Sequence, residues 1–318
     1  MVKADAYGHG VLRVAQSISA AHYGVATEQE GIPLRSLGKE VLVTAPSPSG
    51  VPLLKRYDMI PLIGEEEIAK RAAALGVKRC HIKVNSGMNR LGFRGEKECY
   101  RIASLLLDAG VSVQGIATHY KEDSAEIVLA QNRAFDRAVA AIGKAACEHG
   151  VSDSIPTHVT GSGALYAQGY DFLRVGLAAY GYHAGYYTAG IPLDKAMKVT
   201  SEIVKVKHLS KGDTLGYGGS WRAHRPMTAY TVLGGYADGI ARSEVGRSVL
   251  AAGRRHRIAA VSMDTFEMVS DHLMPVGTRV TVLSEGVDAD AIAKHRKTIP
   301  YEVLVGYNVP RAERIYDE

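Results

Sequence analysis

From residue 1 to about residue 195, short apolar runs alternate with stretches of helical period, and no other feature restricts the fold as much. The apolar runs are His22–Ala26, Val41–Ala45, Met59–Ile63, Cys80–Val84, Val113–Thr118, Thr157–Thr160 and Phe172–Leu177. Runs of this length read as short strands. Between them, Glu96–Asp108 places Ile102, Leu105 and Leu106 on one face and stops at Gly110. Ala125–Cys147 is longer and stops near Gly150. Both have the period and the stop signal of a helix. Strands joined by helical crossovers build a parallel sheet. The expected fold class is therefore α/β, a (β/α)8 barrel of the TIM type. Seven strands are counted, and an eighth would precede Lys3, where only Met1 and Val2 stand, so the first strand is expected to be truncated.

From about Met197 the period changes. Lys198–Lys207, Met227–Gly234, Arg257–Met263 and Arg279–Leu283 follow one another with Gly and Asp turns between them, and one helical stretch, Asp288–Arg296, intervenes. The expected division is a barrel domain over 1–195 and a mainly β domain over 196–318, with the Gly- and Tyr-rich Gly181–Pro192 as the junction.

Composition removes several classes. No apolar run reaches the roughly 18 residues of a membrane span. The opening Met1-Val2-Lys3 leads into a polar, Gly-rich stretch, so no signal peptide is expected. Cys80, Cys99 and Cys147 are odd in number and widely spaced, which suggests neither a disulfide framework nor a metal site and points to the cytoplasm. The formal charge is +5, but the densest basic run, Arg254-Arg255-His256-Arg257, follows Gly253 where a solvated hairpin turn is expected. Without interleaved aromatic residues it gives no nucleic-acid signature. A positive balance suits small anionic ligands instead.

The chain opens Lys3-Ala4-Asp5-Ala6-Tyr7-Gly8-His9-Gly10: a lysine at a strand end, a Gly-flanked turn, and a helix from about Val11. Barrel enzymes keep catalytic groups at the strands' C-terminal mouth. A lysine buried there would have a lowered pKa and a nucleophilic amine. Taken alone, the residue types favour a surface lysine beside a turn.

The whole motif resembles, residue for residue, the cofactor-attachment signature of the alanine racemase family. Further motifs similar to that family follow in its order. They are His81-Ile82-Lys83-Val84-Asn85-Ser86-Gly87-Met88-Asn89-Arg90-Leu91-Gly92, Ala117-Thr118-His119-Tyr120, His158 with Ser162, and Leu173-Arg174-Val175-Gly176-Leu177 through Gly181. Gly216-Tyr217-Gly218, Gly235-Tyr236-Ala237-Asp238-Gly239, Ser262-Met263-Asp264 and Thr298-Ile299-Pro300-Tyr301-Glu302 complete the set. The resemblance spans essentially the whole chain.

That resemblance implies a pyridoxal 5'-phosphate enzyme that interconverts L- and D-alanine, supplying D-alanine for cell-wall peptidoglycan. Racemisation removes the α-proton on one face and returns it on the other. It needs an electron sink, which the cofactor supplies, and an acid/base group on each face. By resemblance these groups are Lys3, which also holds the cofactor, and Tyr217. A tyrosine acting as a base needs cationic neighbours, and His119, His158 and Arg174 match the family's network. Arg174 also matches the residue facing the pyridine nitrogen; a guanidinium keeps its proton, which leaves a weaker sink that favours simple reprotonation.

By family position the phosphate meets Tyr7, Ser162 and Tyr301 and the backbone at Gly176 and Leu177. Arg90 and the backbone of Met263 would meet the substrate carboxylate. Period-2 alternation puts Lys83 on the strand face shared by His81 and Asn85, pointing into the barrel; many relatives carbamylate this lysine to hold the arginine. Tyr236 and Asp264 are supporting residues. The family's Tyr217 and Met263 reach the partner's cofactor, so a head-to-tail homodimer with shared active sites is implied. Asn85 stands where the family commonly has Asp, Gly161 where it has Asn, and Val175 where it has Pro or Phe, which bears on substrate range. Four other readings are a racemase of serine or another small amino acid, a non-catalytic cofactor carrier, an inactive truncated fragment, and a decarboxylase on the related fold, which would be expected to share the barrel but not the Gly-Tyr-Gly and Ser-Met-Asp motifs together. Such carriers lack the β domain and its tyrosine, and this chain has both.

Overall fold

The computed structural model describes residues 1–121, 124–159, 169–183 and 192–316. It divides into two compact units, Met1–Ala6 with Gly10–Leu193, and Tyr7–His9 with Asp194–Glu318.

The first unit is built on a seven-stranded parallel sheet: β1 (Tyr23–Val25), β2 (Val41–Val43), β3 (Ile60–Ile63), β4 (Arg79–Lys83), β5 (Ser112–Ala117), β6 (Thr157–Val159) and β7 (Phe172–Leu173). Each strand pairs with the next in chain order, starting with Tyr23 opposite Val41 and Val25 opposite Val43. Helical crossovers follow most strands, which is the connection that parallel neighbours require. Both faces of β1, β2 and β3 are buried, so these strands read as unbroken apolar runs rather than alternating ones.

Residues 1 and 2 bond to both ends of this sheet. The amino group of Met1 donates to the Val175 carbonyl at 2.6 Å, and the Val2 amide donates to the Gly24 carbonyl at 2.8 Å. The Tyr180 hydroxyl closes on the Met1 carbonyl at 2.9 Å. The last strand is shorter than its apolar run: β7 stops at Leu173, and Leu177–Tyr180 is a 3-10 turn. Gly176, at φ −118° and ψ −103°, breaks the extended chain there.

The second unit contains β8 (Val199–Leu209), β9 (Thr214–Leu215), β10 (Trp221–Arg222), β11 (Met227–Leu233), β12 (Ser248–Ala251), β13 (Arg254–Val261), β14 (Thr265–Ser270) and β15 (Arg279–Leu283). Six of these close an antiparallel barrel in the order β11-β14-β13-β12-β15-β8, and β9 and β10 form a separate ribbon. Closure leaves the barrel no unpaired edge. Ile203, Val232, Ile258, Phe266, Met268 and Val280 fill its interior. The basic run is not a turn. It opens β13, with Arg254 and Arg255 exposed, His256 buried and donating from Nε2 to the Ala251 carbonyl at 3.1 Å, and Arg257 exposed; the turn itself is Ala252–Gly253. Among the described residues no helix is long and apolar enough to cross a membrane, and no cluster of His, Cys, Asp and Glu is arranged to hold a metal ion.

Candidate active site

Lys3 leads into a turn of the wrong hand. Ala4, Asp5, Ala6 and Tyr7 have φ of 51°, 53°, 56° and 54°, four consecutive non-glycine residues in the left-handed region. Each such residue costs about 1–2 kcal/mol, so the turn costs about 4–8 kcal/mol and needs fixed partners. It has them. The Ala6 amide donates to the Val2 carbonyl at 2.9 Å, closing the turn. The Val11 amide donates to Asp5 Oδ1 at 2.7 Å, and the Ala4 amide donates to Glu30 Oε1 at 3.0 Å. Lys3 itself is accessible at the strand ends. Partial burial lowers its pKa, as does the Arg90 guanidinium, while Glu30 opposes them.

Lys83 ends β4 and is buried, with 7% of its surface exposed. Burial, then Arg90, Arg174 and Lys3, draw its pKa down to about 8. Arg90 sits in the loop that follows. Asn85 Oδ1 organises this loop by accepting from the Gly87 amide at 3.1 Å and the Asn89 amide at 3.0 Å. The loop returns along β4: the Phe93 amide donates to the Lys83 carbonyl at 2.9 Å. Gly92 permits this, since a Cβ there would stand 2.7 Å from the Asn85 nitrogen, and its φ is +117°. Asn85 thus supplies the acceptor oxygen that an aspartate would, without the charge.

Behind the cations lies a chain of imidazoles. Arg174 Nη1 is 2.6 Å from His158 Nδ1, and His158 Nε2 is 2.8 Å from His81 Nδ1. A guanidinium only donates, so His158 Nδ1 accepts. His158 Nε2 then carries the proton and donates to His81 Nδ1, which fixes both tautomers. Burial and then Arg174 lower the pKa of His158 strongly. Burial first, with His22, Arg174 and Arg79, takes His81 down to about 3. His119 falls to about 3 as well, through burial and then Arg174, Arg90, Lys83 and Lys3. These histidines are neutral at pH 7. The positive charge of the network resides on arginine and lysine. Burial lowers Arg174 to about 10, which still leaves it protonated.

Thr118 ties these parts together. Its carbonyl accepts from Arg174 Nη2 at 2.5 Å, and its hydroxyl donates to the Val84 carbonyl at 2.9 Å. The hydroxyl's single proton is thereby used, so Ser86 Oγ donates to Thr118 Oγ1 at 2.7 Å, and Gln131 Nε2 donates to Ser86 Oγ at 3.2 Å. The loops bearing Arg90, His119 and Arg174 share this one buried network.

The second unit holds the remaining residues. The ring of Tyr7 lies 5.8 Å from that of Tyr301, and burial raises the Tyr7 pKa. Tyr217 and Met263 are exposed, 73% and 50%. The Tyr236–Asp238 turn is strapped to the Ser262–Asp264 turn: the Tyr236 amide donates to the Ser262 carbonyl and the Ala237 amide to the Met263 carbonyl, each at 3.0 Å. Arg311 spans both turns, donating from Nη2 to Asp238 Oδ2 at 2.7 Å and from Nη1 to Asp264 Oδ1 at 2.8 Å.

The sequence matches the alanine racemase N-terminal domain over residues 1–184 and the alanine racemase C-terminal domain over residues 196–316. The chain belongs to the alanine racemase family. The alanine racemase of Streptococcus pyogenes is 32% identical over an alignment of 343 positions, covering 99% of this chain and 90% of that one. That of Nitrosomonas eutropha is 32% identical with the same coverage. Among solved structures, the alanine racemase of Streptomyces lavendulae superposes with a TM-score of 0.88 at 28% identity, over 100% of this chain and 89% of that one. The Bartonella henselae enzyme, solved with covalently bound pyridoxal phosphate, shares the fold, with a TM-score of 0.86 at 23% identity, over 99% of this chain and 91% of that one.

Within this alanine racemase fold, Lys3, Lys83, Arg90, His119, His158, Arg174, Gly176 and Leu177 all lie in the first unit, and Tyr7, Tyr217, Tyr236, Met263, Asp264 and Tyr301 in the second. Ser162 lies outside the described residues. Three contributors were not singled out from sequence: Glu30, Thr118 as a network centre, and Arg311. Glu30 alone had a readable signal, an acid in the first turn of the helix Glu28–Ser36, which reads only as a cap. The donor set fits pyridoxal phosphate. Lys3, Lys83, Arg90 and Arg174 bear on one another electrostatically, and such a cluster calls for anionic partners, as a phosphate and a carboxylate would be.

Proposed function

We propose that this protein is a pyridoxal-phosphate-dependent alanine racemase that uses Lys3 and Tyr217 as its two proton-moving groups. The observation that carries the reading is the gathering of Lys3, with its lowered pKa, among Lys83, Arg90 and Arg174 and beside neutral histidines. Lys3 would hold the cofactor covalently, Tyr7, Ser162, Tyr301 and the Gly176–Leu177 backbone would hold its phosphate, and Arg174 with His158 would meet its ring. Bound there, pyridoxal phosphate supplies the electron sink for the charge left when the α-proton departs.

The chain's own residues do the rest. Arg90 and the Met263 amide orient the substrate carboxylate, a charge-assisted contact. Lys3 Nζ takes or returns the proton on one face, and Tyr217 Oη does so on the other. Tyr236 and Asp264, with Arg311, hold the Met263 turn. Exposure of Tyr217 and Met263 supports their working against a second copy, in a head-to-tail homodimer. The product would be D-alanine for peptidoglycan, made in the cytoplasm.

The test is exchange of the α-proton in D2O, followed by NMR, with L-alanine and then L-serine. Exchange with inversion is expected for alanine, lost in Lys3→Ala and in Tyr217→Phe. Full exchange with inversion in Tyr217→Phe would refute the two-group mechanism. Faster exchange with serine would reassign the substrate.

A further inference from the structure

We propose that Glu30 is a positioning residue for Lys3: one oxygen of its carboxylate holds the left-handed turn at Ala4, and the other is anchored at the end of β1. The inference rests on Lys3 being the cofactor lysine.

Glu30 stands where a capping-box acid would stand, three residues after Thr27 at the start of the helix Glu28–Ser36. A cap would bond the helix's own N-terminus. The shorter contacts here go elsewhere. Oε2 accepts from the Ala26 amide, just past β1, at 2.7 Å, against 3.4 Å for the Thr27 amide. Oε1 leaves the helix altogether and accepts from the Ala4 amide at 3.0 Å. Ala4 follows Lys3 and is the first of the four left-handed residues. An alanine gains nothing intrinsic from that conformation, so its donor must be held from outside. Glu30 therefore links a rigid strand end to the residue that aims the lysine. Its charge also bears on Lys3, opposing Arg90.

The 318-residue chain is mixed with limiting pyridoxal phosphate, reduced with borohydride, and the labelled peptide is quantified by mass spectrometry. Wild type, Glu30→Gln and Glu30→Gln with Ala4→Gly are compared, with melting temperatures measured in parallel. Glutamine keeps the size and one acceptor but cannot accept on both sides. Labelling of Lys3 is expected to fall about tenfold or more in Glu30→Gln, the worth of one hydrogen bond to a charged group. Glycine takes the left-handed conformation without cost, so Ala4→Gly is expected to restore most of the labelling.

Lys3 labelling in folded Glu30→Gln equal to wild type overturns the inference, whatever the melting temperature does. Loss without recovery in the double variant also overturns it, since the glutamate would then act only as a cap or a charge. If Glu30→Gln does not fold, recovery of folding and labelling in the double variant supports the inference, and no recovery overturns it. A wild type that is not labelled at Lys3 at all sinks the underlying cofactor assignment, and the inference with it.

Discussion

Gly115 lies in β5 against the ring of His81, and its replacement by alanine is expected to break the imidazole chain. A Cβ at that position would stand 2.6 Å from His81 Nδ1, 2.7 Å from Cε1 and 2.8 Å from Cγ. The ring has little room to retreat. It is buried, with His158 4.9 Å away on one side and His22 5.9 Å away on another. Overpacking a filled core costs about 1–3 kcal/mol. Displacing His81 also leaves the His158 Nε2 proton without its acceptor, a further penalty of about 1–3 kcal/mol for a buried donor. A unit of this size loses about 2–4 °C per kcal/mol, so the fall in melting temperature should be roughly 10 °C. The assay is thermal unfolding of Gly115→Ala, His81→Ala and the double variant. Removing the imidazole should relieve most of the alanine's cost, which appears as a coupling between the two sites. A Gly115→Ala protein that melts within about 1 °C of wild type, far below that shift, would refute the packing argument. So would an equal cost with and without His81. Because Arg174 aims its guanidinium through His158, the turnover of folded Gly115→Ala should also drop.

Three further outcomes are expected. His81 and His119 are held near 3 when folded, against about 6.5 in an unfolded chain; between these values the unfolded chain binds more protons, so stability is full above pH 6.5 and falls as the pH drops toward 3. Urea midpoints at pH 7, 5 and 4 check this, and His119→Gln should flatten the slope. Gly235→Ala would place a Cβ 2.2 Å from the Ser262 carbonyl and 2.4 Å from that of Met263; since this shifts the turn carrying Met263, KM for alanine should rise more than kcat falls, which steady-state kinetics resolves. Lys83, drawn down to about 8, carries a neutral fraction large enough near pH 8 to add to carbon dioxide, forming an N–C bond and releasing a proton; mass spectrometry under native conditions should show the added mass, absent from Lys83→Arg.

Some of this was legible in the order of the residues, and the remainder was hidden for physical reasons. The strands of the first unit could be read because burial on both faces writes an uninterrupted apolar run, as at Ile60–Ile63. In the second unit β9, β10, β12 and β14 escaped notice. Thr214–Leu215 and Trp221–Arg222 are two residues each, Ser248–Ala251 is four, and Thr265–Ser270 carries Glu267 between its buried Phe266 and Met268. The basic run misled because three solvated arginines resemble a turn, although pairing with β12 puts them on a strand. Within the site, motif resemblance carried the chemical groups. It could not show that Ala4, Asp5, Ala6 and Tyr7 wind to the left, since none of them prefers that conformation. Nor could it assign Arg311, whose partners lie 73 and 47 residues away in sequence.

The four cations gathered around the site have a consequence for how the protein is handled. Lys3, Lys83, Arg90 and Arg174 repel one another in a partly desolvated space. Whatever neutralises them binds the folded chain alone and so stabilises it by mass action. Buffer choice then sets apparent stability: inorganic phosphate or sulfate should protect against heat while competing with substrate. Thermal shift and inhibition would report a single binding event.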